Sequence, residues 1–259
     1  MDGYENILFV LLQPLCSVIF LECFCVILLI SMADLHFFGI HIFYYLIVVA
    51  FLLPKVPVVG KFFNIINTLI HELGHALMAL VFEGKVVRIE IFKDTGGVTV
   101  TKSKSGVAAF FVSIAGYPFA AAAGLLCAYL LSIGYGSWIV LGLSILFLFM
   151  LILWVRNGYG ALWVILFCLL NGIVVFYLKK PLYIEIAAWF YTLMIIIESV
   201  WSSLVLLYLS IFHADQSGDA ANLRKATHIP AFVWALLFVA FSGWMAYCSA
   251  VVVNGMITL

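Results

Sequence analysis

Thr68-Leu69-Ile70-His71-Glu72-Leu73-Gly74-His75-Ala76-Leu77 lies near the middle of an apolar run, residues 62–82, that is long enough for a membrane-spanning helix. In a helix, side chains four residues apart stand one above the other, so His71 and His75 share a face. Two imidazoles on adjacent turns can hold one zinc ion at about 2.0–2.1 Å each, with the intervening Glu72 placed as general base toward a water. The pattern extends beyond the motif. Asn64, Asn67 or Thr68, His71 and His75 recur at three- and four-residue steps, while Leu, Ile and Phe fill the other positions. Such a polar stripe at membrane depth belongs against a bundle interior or a wet cavity, not against lipid. A merely structural histidine pair would leave three ionisable side chains in hydrocarbon for no return.

Composition fixes the class. The chain is 67% hydrophobic and only 9% charged, with a mean hydropathy of +1.26, whereas ordinary globular chains are about 45–50% apolar and about 25% charged. It reads as an integral, multi-pass membrane protein with a single membrane-embedded domain over residues 1–259. Which membrane it occupies is open. A formal net charge of zero excludes a basic nucleic-acid surface. The partners implied are membrane lipid and a membrane-protein or transmembrane-peptide substrate; oligomeric state is unspecified. The six cysteines all fall in apolar runs and read as packing residues.

The expected fold is an all-α polytopic bundle of about eight transmembrane helices with a short β-hairpin after the His71–His75 helix. The spans fall at residues 7–32, 37–53, 62–82, 107–133, 137–155, 161–178, 181–212 and 230–253. Glu83-Gly84 closes the third. The period then changes: Val87, Ile89 and Ile91 alternate with Arg88, Glu90 and Phe92. Lys93-Asp94-Thr95-Gly96-Gly97 supplies a turn, and Val98 to Thr101 alternates again. An exposed strand edge beside a metal helix suits binding of an unwound peptide by strand addition. The small residues Ala115-Gly116 and Ala120 to Gly124 in the fourth span let it approach a neighbour closely, the His71–His75 helix being the natural one.

A catalytic zinc needs a third protein ligand. No glutamate or histidine follows His75 at the short spacings of soluble zinc hydrolases, and the ionisable candidates are Glu22, Glu198, His213, Asp215 and Asp219. Residues 213–230 form the most polar stretch of the chain, with Ser217 as cap of a short helix near Asp219. With eight spans, this linker and the hairpin fall on the same side. Asp219 is the favoured ligand, then Asp215 or His213, with Glu198 last. Of the twelve Lys and Arg, Lys85, Arg88, Lys93, Lys102, Lys104, Arg156, Arg224 and Lys225 lie on that side. The positive-inside rule then favours a cytosolic hairpin, although the first five belong to the hairpin itself.

Taken together, the chain resembles the site-2-protease-like intramembrane metallopeptidases of the compact branch without a PDZ domain. The resemblance rests on the helix carrying His71-Glu72-Leu73-Gly74-His75-Ala76, the hairpin from Gly84-Lys85-Val86 to Gly96-Gly97, and Ala115-Gly116-Tyr117. It continues through Arg156-Asn157, Ser217-Gly218-Asp219-Ala220, and Ile229-Pro230-Ala231 with Trp234. It implies a zinc cofactor and hydrolysis of transmembrane peptides within the bilayer, with His71 and His75 as ligands and Glu72 as base. The Asn-Pro-x-x-Asp-Gly type of motif that carries the third ligand in better-known members is absent, and Asn171-Gly172 is no substitute. Two other classes remain in view. A catalytically silent relative would bind transmembrane segments as a chaperone or regulator, but has no need of Glu72. A small transporter would use Glu22, Glu72 and Glu198 as a relay, but the chain lacks internal repeats.

Overall fold

The computed structural model describes residues 36–37 and 40–257. Among these residues lie eight α-helices, one two-stranded hairpin at residues 85–102, and a pair of two-residue antiparallel strands, His36–Phe37 and Ile40–His41. Helix α1 (Ile42–Leu52) runs into a single 3₁₀ turn, Leu53–Lys55, and then α2 (Val59–Val81) sets off at 98° to it. Pro54 and Pro57 account for the break, since neither can donate a helical hydrogen bond. Strands β1 (Lys85–Ile91) and β2 (Gly97–Lys102) follow as an antiparallel hairpin. The remaining helices are α3 (Gly106–Ser132), α4 (Gly136–Leu153), α5 (Gly158–Gly172), α6 (Pro181–Phe212), α7 (Gly218–Thr227) and α8 (Ala231–Ile257).

Helices α3, α4, α6 and α8, together with α5 and its π-helical continuation to Leu178, are long and apolar enough to cross a membrane. The bent pair of α1 and α2 makes a sixth span if counted as one. Of the eight expected spans, the seven that fall within the described residues become these five and one bent pair. Segments 37–53 and 62–82 do not make two straight spans, because α1 has only eleven residues, about 16 Å of helix against a hydrocarbon core of about 30 Å. The expected first span, 7–32, lies outside the described residues.

Helix α2 buries Ile65, Ile66, Leu69, Ile70 and Leu73 in the main core. Its neighbour is α3, as the small residues there lead one to expect. A Cβ on Gly74 would stand 3.0 Å from the Ala115 carbonyl oxygen, so the two backbones are nearly in contact. Ser105 caps α3 by accepting from the Ala108 amide at 3.1 Å. Asn171 ties three helices together. It accepts from the Tyr191 hydroxyl at 2.7 Å and donates to Ser144 Oγ at 3.0 Å.

The hairpin pairs Ile89 with Thr99 and Ile91 with Gly97, and a bulge lies between Val86 and Arg88. That bulge corrects the alternation read from the sequence. One extra residue shifts the parity, so Val86 turns inward (7% exposed) and Val87 outward (37%). The outer edge of β1 is not free. The Ile89 amide donates to the Trp154 carbonyl (2.7 Å) and the Arg156 amide donates to the Ile89 carbonyl (3.1 Å). Asn157 completes the seam with its side-chain amide, accepting from the Ile91 amide (3.1 Å) and donating to the Ile91 carbonyl (2.6 Å). The connector between α4 and α5 thus covers one side of the hairpin and leaves β2 as the open side.

Candidate metal centre

The polar stripe on α2 faces an open cavity of about 1160 Å³ lined by α2, β2, α3, α6 and α7. Asn64, Asn67, Thr68, His71, Glu72 and His75 all line it. His71 Nε2 and His75 Nε2 lie 3.0 Å apart. Asp219, in the first turn of α7, points Oδ2 at both, 3.2 Å from each. These three residues form the one group among those described whose donor atoms converge closely enough to hold a metal ion.

The protons on these atoms decide what the group can bind. His75 Nδ1 lies 2.6 Å from the Val112 carbonyl oxygen. A carbonyl only accepts, so Nδ1 carries a hydrogen, and in the neutral ring the Nε2 lone pair is turned toward Asp219. Asp219 lies outside the apolar helices. Burial raises its pKa, the neighbouring imidazoles lower it further, and the carboxyl ends well below the usual range as an anion. With both imidazoles neutral, the Nε2 lone pairs and Asp219 Oδ2 converge as donor atoms for one cation. A tetrahedral zinc with ligands at about 2.0–2.1 Å holds them roughly 3.3 Å apart, close to the observed spacings. The donor set fits zinc.

Two glycines make room for this arrangement. A Cβ on Gly116 would stand 2.5 Å from His71 Nε2 and 2.6 Å from His75 Nε2. One on Gly97 would stand 2.6 Å from Glu72 Oε1. Gly116→Ala is therefore expected to push the imidazoles apart and abolish stoichiometric zinc binding. Metal analysis of the folded variant checks this, and full zinc retention would show that the helices have more slack than these contacts imply.

Glu72 is buried beside the histidines, and its Oε2 accepts from Thr99 Oγ1 at 2.6 Å. Thr68 Oγ1 donates to the Thr95 carbonyl at 2.8 Å, pinning the hairpin turn to α2. Tyr117 sets its ring edge-on to His71, centroids 4.5 Å apart, and stacks on Phe238 at 5.1 Å. The histidine is held between fixed aromatic walls.

The other ligand candidates fall elsewhere. Asp215 is exposed and paired with Arg224 Nη2 at 2.6 Å. His213 ends α6 on the surface. Glu198 lines the same cavity but is not part of the converging group. Glu22 lies outside the described residues. Ser217 occupies the capping position of α7, but its hydroxyl donates to the Ala214 carbonyl at 2.7 Å and does not cap the helix. Sequence reasoning missed Thr99 and the Val112 carbonyl. The alternation around Thr99 marks an inward residue, but only the strand register sets it against Glu72. A backbone carbonyl leaves no mark in a sequence.

A family model described as Peptidase M50B-like matches residues 42–249. No curated protein and no solved structure matches the chain.

Proposed function

The chain belongs to the Peptidase M50B-like family, and on that footing we propose that it is a multi-pass membrane protein acting as a zinc-dependent endopeptidase on transmembrane segments. The observation that carries this reading is the convergence of His71, His75 and Asp219 within 3.2 Å, with Glu72 adjoining, on a cavity walled by apolar helices. His71 and His75 through Nε2, and Asp219 through Oδ2, are the residues that hold the metal. Zinc bound there supplies Lewis acidity toward a water and toward a peptide carbonyl.

The protein's own groups do the rest. Glu72 takes the proton of the attacking water and returns it to the departing amine. Thr99 donates to Glu72 Oε2 and so fixes the carboxylate's rotamer, leaving Oε1 for the water. The Val112 carbonyl keeps His75 in the tautomer whose Nε2 lone pair points into the site. Strand β2 supplies the substrate's seat. Its outer edge lies along the cavity, with Val98, Thr99 and Thr101 in the lining. A peptide unwound from helical form loses its internal hydrogen bonds, which is costly in a membrane, and pairing with β2 replaces them.

Purified protein tests this reading directly. One zinc per chain is expected, with cleavage of a transmembrane peptide that stops on chelation and returns with added zinc. The His71→Ala/His75→Ala double variant should hold none. Cleavage that continues after complete metal removal would overturn the proposal.

A further inference from the structure

Glu198 is a buried carboxylate that this chemistry leaves without a task. It lies on α6, 7% exposed, on the wall of the metal cavity. It forms no ion pair and no hydrogen bond among the described residues. Asn64 and Asn67 also line the cavity, and their Oδ1 atoms are buried without partners. The acidic lining consists of Glu72, Asp94, Glu198 and Asp219, against Lys225 and the two metal-site histidines. With Glu72 and Asp219 engaged at the metal site, Glu198 and the two asparagines remain as acceptors awaiting donors. Buried polar groups in folded proteins are overwhelmingly paired.

The helices fix the height of this group relative to the metal site. On α3, Gly116 touches His71 and His75, and Gly124 touches Ile195 and Ile196 of α6. Eight residues of helix separate those levels by about 12 Å. Glu198 stands two residues back from Ile196 toward the end of α6 where Val205 and Leu209 meet α7 at the cavity. Its level is therefore about 9 Å below the imidazoles. Strand β2 runs alongside α2. The Thr95 carbonyl meets Thr68, Thr99 meets Glu72, and the Lys102 carbonyl lies against Gly84 beyond the end of α2. A peptide paired with β2 follows the same axis at about 3.3 Å per residue, so 9 Å corresponds to about three residues.

We propose that Glu198, with Asn64 and Asn67, is a specificity subsite for a lysine or arginine side chain of the bound peptide, about three residues from the bond that is cut. This rests on the endopeptidase reading. A cation inside an apolar segment is costly in lipid, and the cavity gives it a carboxylate and two amide oxygens. The subsite thus favours transmembrane segments that carry a basic residue within the bilayer.

The test uses two apolar peptides of about 20 residues that differ at one central position, lysine or norleucine. Binding to the Glu72→Gln protein in detergent is read by fluorescence anisotropy, so that no turnover intervenes. The lysine peptide should bind about ten- to a hundredfold more tightly, the range for a charge-assisted hydrogen bond. Adding Glu198→Gln should reduce its affinity to that of the norleucine peptide without changing zinc content. Equal affinity for the two peptides, or a preference that survives Glu198→Gln, would overturn the subsite. The two readings separate cleanly. Lysine preference with no cleavage by wild-type protein keeps the cation site but sinks the endopeptidase, and with it the spacing to a cut bond; cleavage without preference keeps the endopeptidase and sinks the cation site.

Discussion

Glu72→Gln is expected to lower peptide hydrolysis by about 10²- to 10⁴-fold, the usual share of a positioned general base, while zinc content and fold stay as they are. The amide matches the carboxylate in shape and can still accept from Thr99, which lies 2.6 Å from Oε2. It cannot take a proton from water. Glu72 is not among the three converging metal donors, so its substitution should leave zinc in place. The loss therefore belongs to the chemical step, visible as a fall in kcat with little change in KM. Hydrolysis at near wild-type rate would remove Glu72 from the mechanism. Loss of zinc together with activity would instead make it a ligand.

Asp219→Ala is expected to weaken zinc binding by more than about a hundredfold, since even the outer partners of metal ligands cost about 10–100-fold when removed. It leaves two imidazoles on one helix and no carboxylate among the converging donors to offset the charge of the ion. Asp215→Ala is the matched control. It lies four residues away, but its carboxylate is exposed and engaged by Arg224, and its removal should leave zinc affinity within about twofold, as for other exposed ion pairs of small worth. Zinc titration of both variants, after checking that each folds, gives the answer. If Asp215→Ala or Glu198→Ala stripped the metal and Asp219→Ala did not, the ligand assignment would fall.

Much of this site is legible in the chain because its parts obey short-range rules. The four-residue step between His71 and His75 places them on one face whatever the rest of the fold does. The change of period after Gly84 announces the hairpin, and the polarity of residues 213–230 singles out a connector, carrying the short helix α7, apart from the apolar helices. What escapes the sequence depends on distant geometry. Hydropathy registers how apolar α1 and α2 are and is blind to the 98° bend between them, so two helices read as two spans. A one-residue bulge exchanges Val86 and Val87, which alternation alone assigns the other way. Ser217 has the right residue type and place for a cap, yet its hydroxyl donates its hydrogen bond to the Ala214 carbonyl three residues earlier. Glu198 is legible as an oddity in an apolar helix, but only packing shows that it shares a cavity with the metal group without joining it.

The split of the metal group between α2 and α7 has a consequence in time. During synthesis, a chain that has emerged through the hairpin carries both imidazoles and Glu72 but no carboxylate to complete the set. The outer edge of β1 likewise stays open until residues 154–157 arrive to seal it. Asp219 follows only after α6 has been made. By placing Asp219 on α7, behind α1 to α6, the fold leaves the metal group one donor short until most of the described bundle has been made.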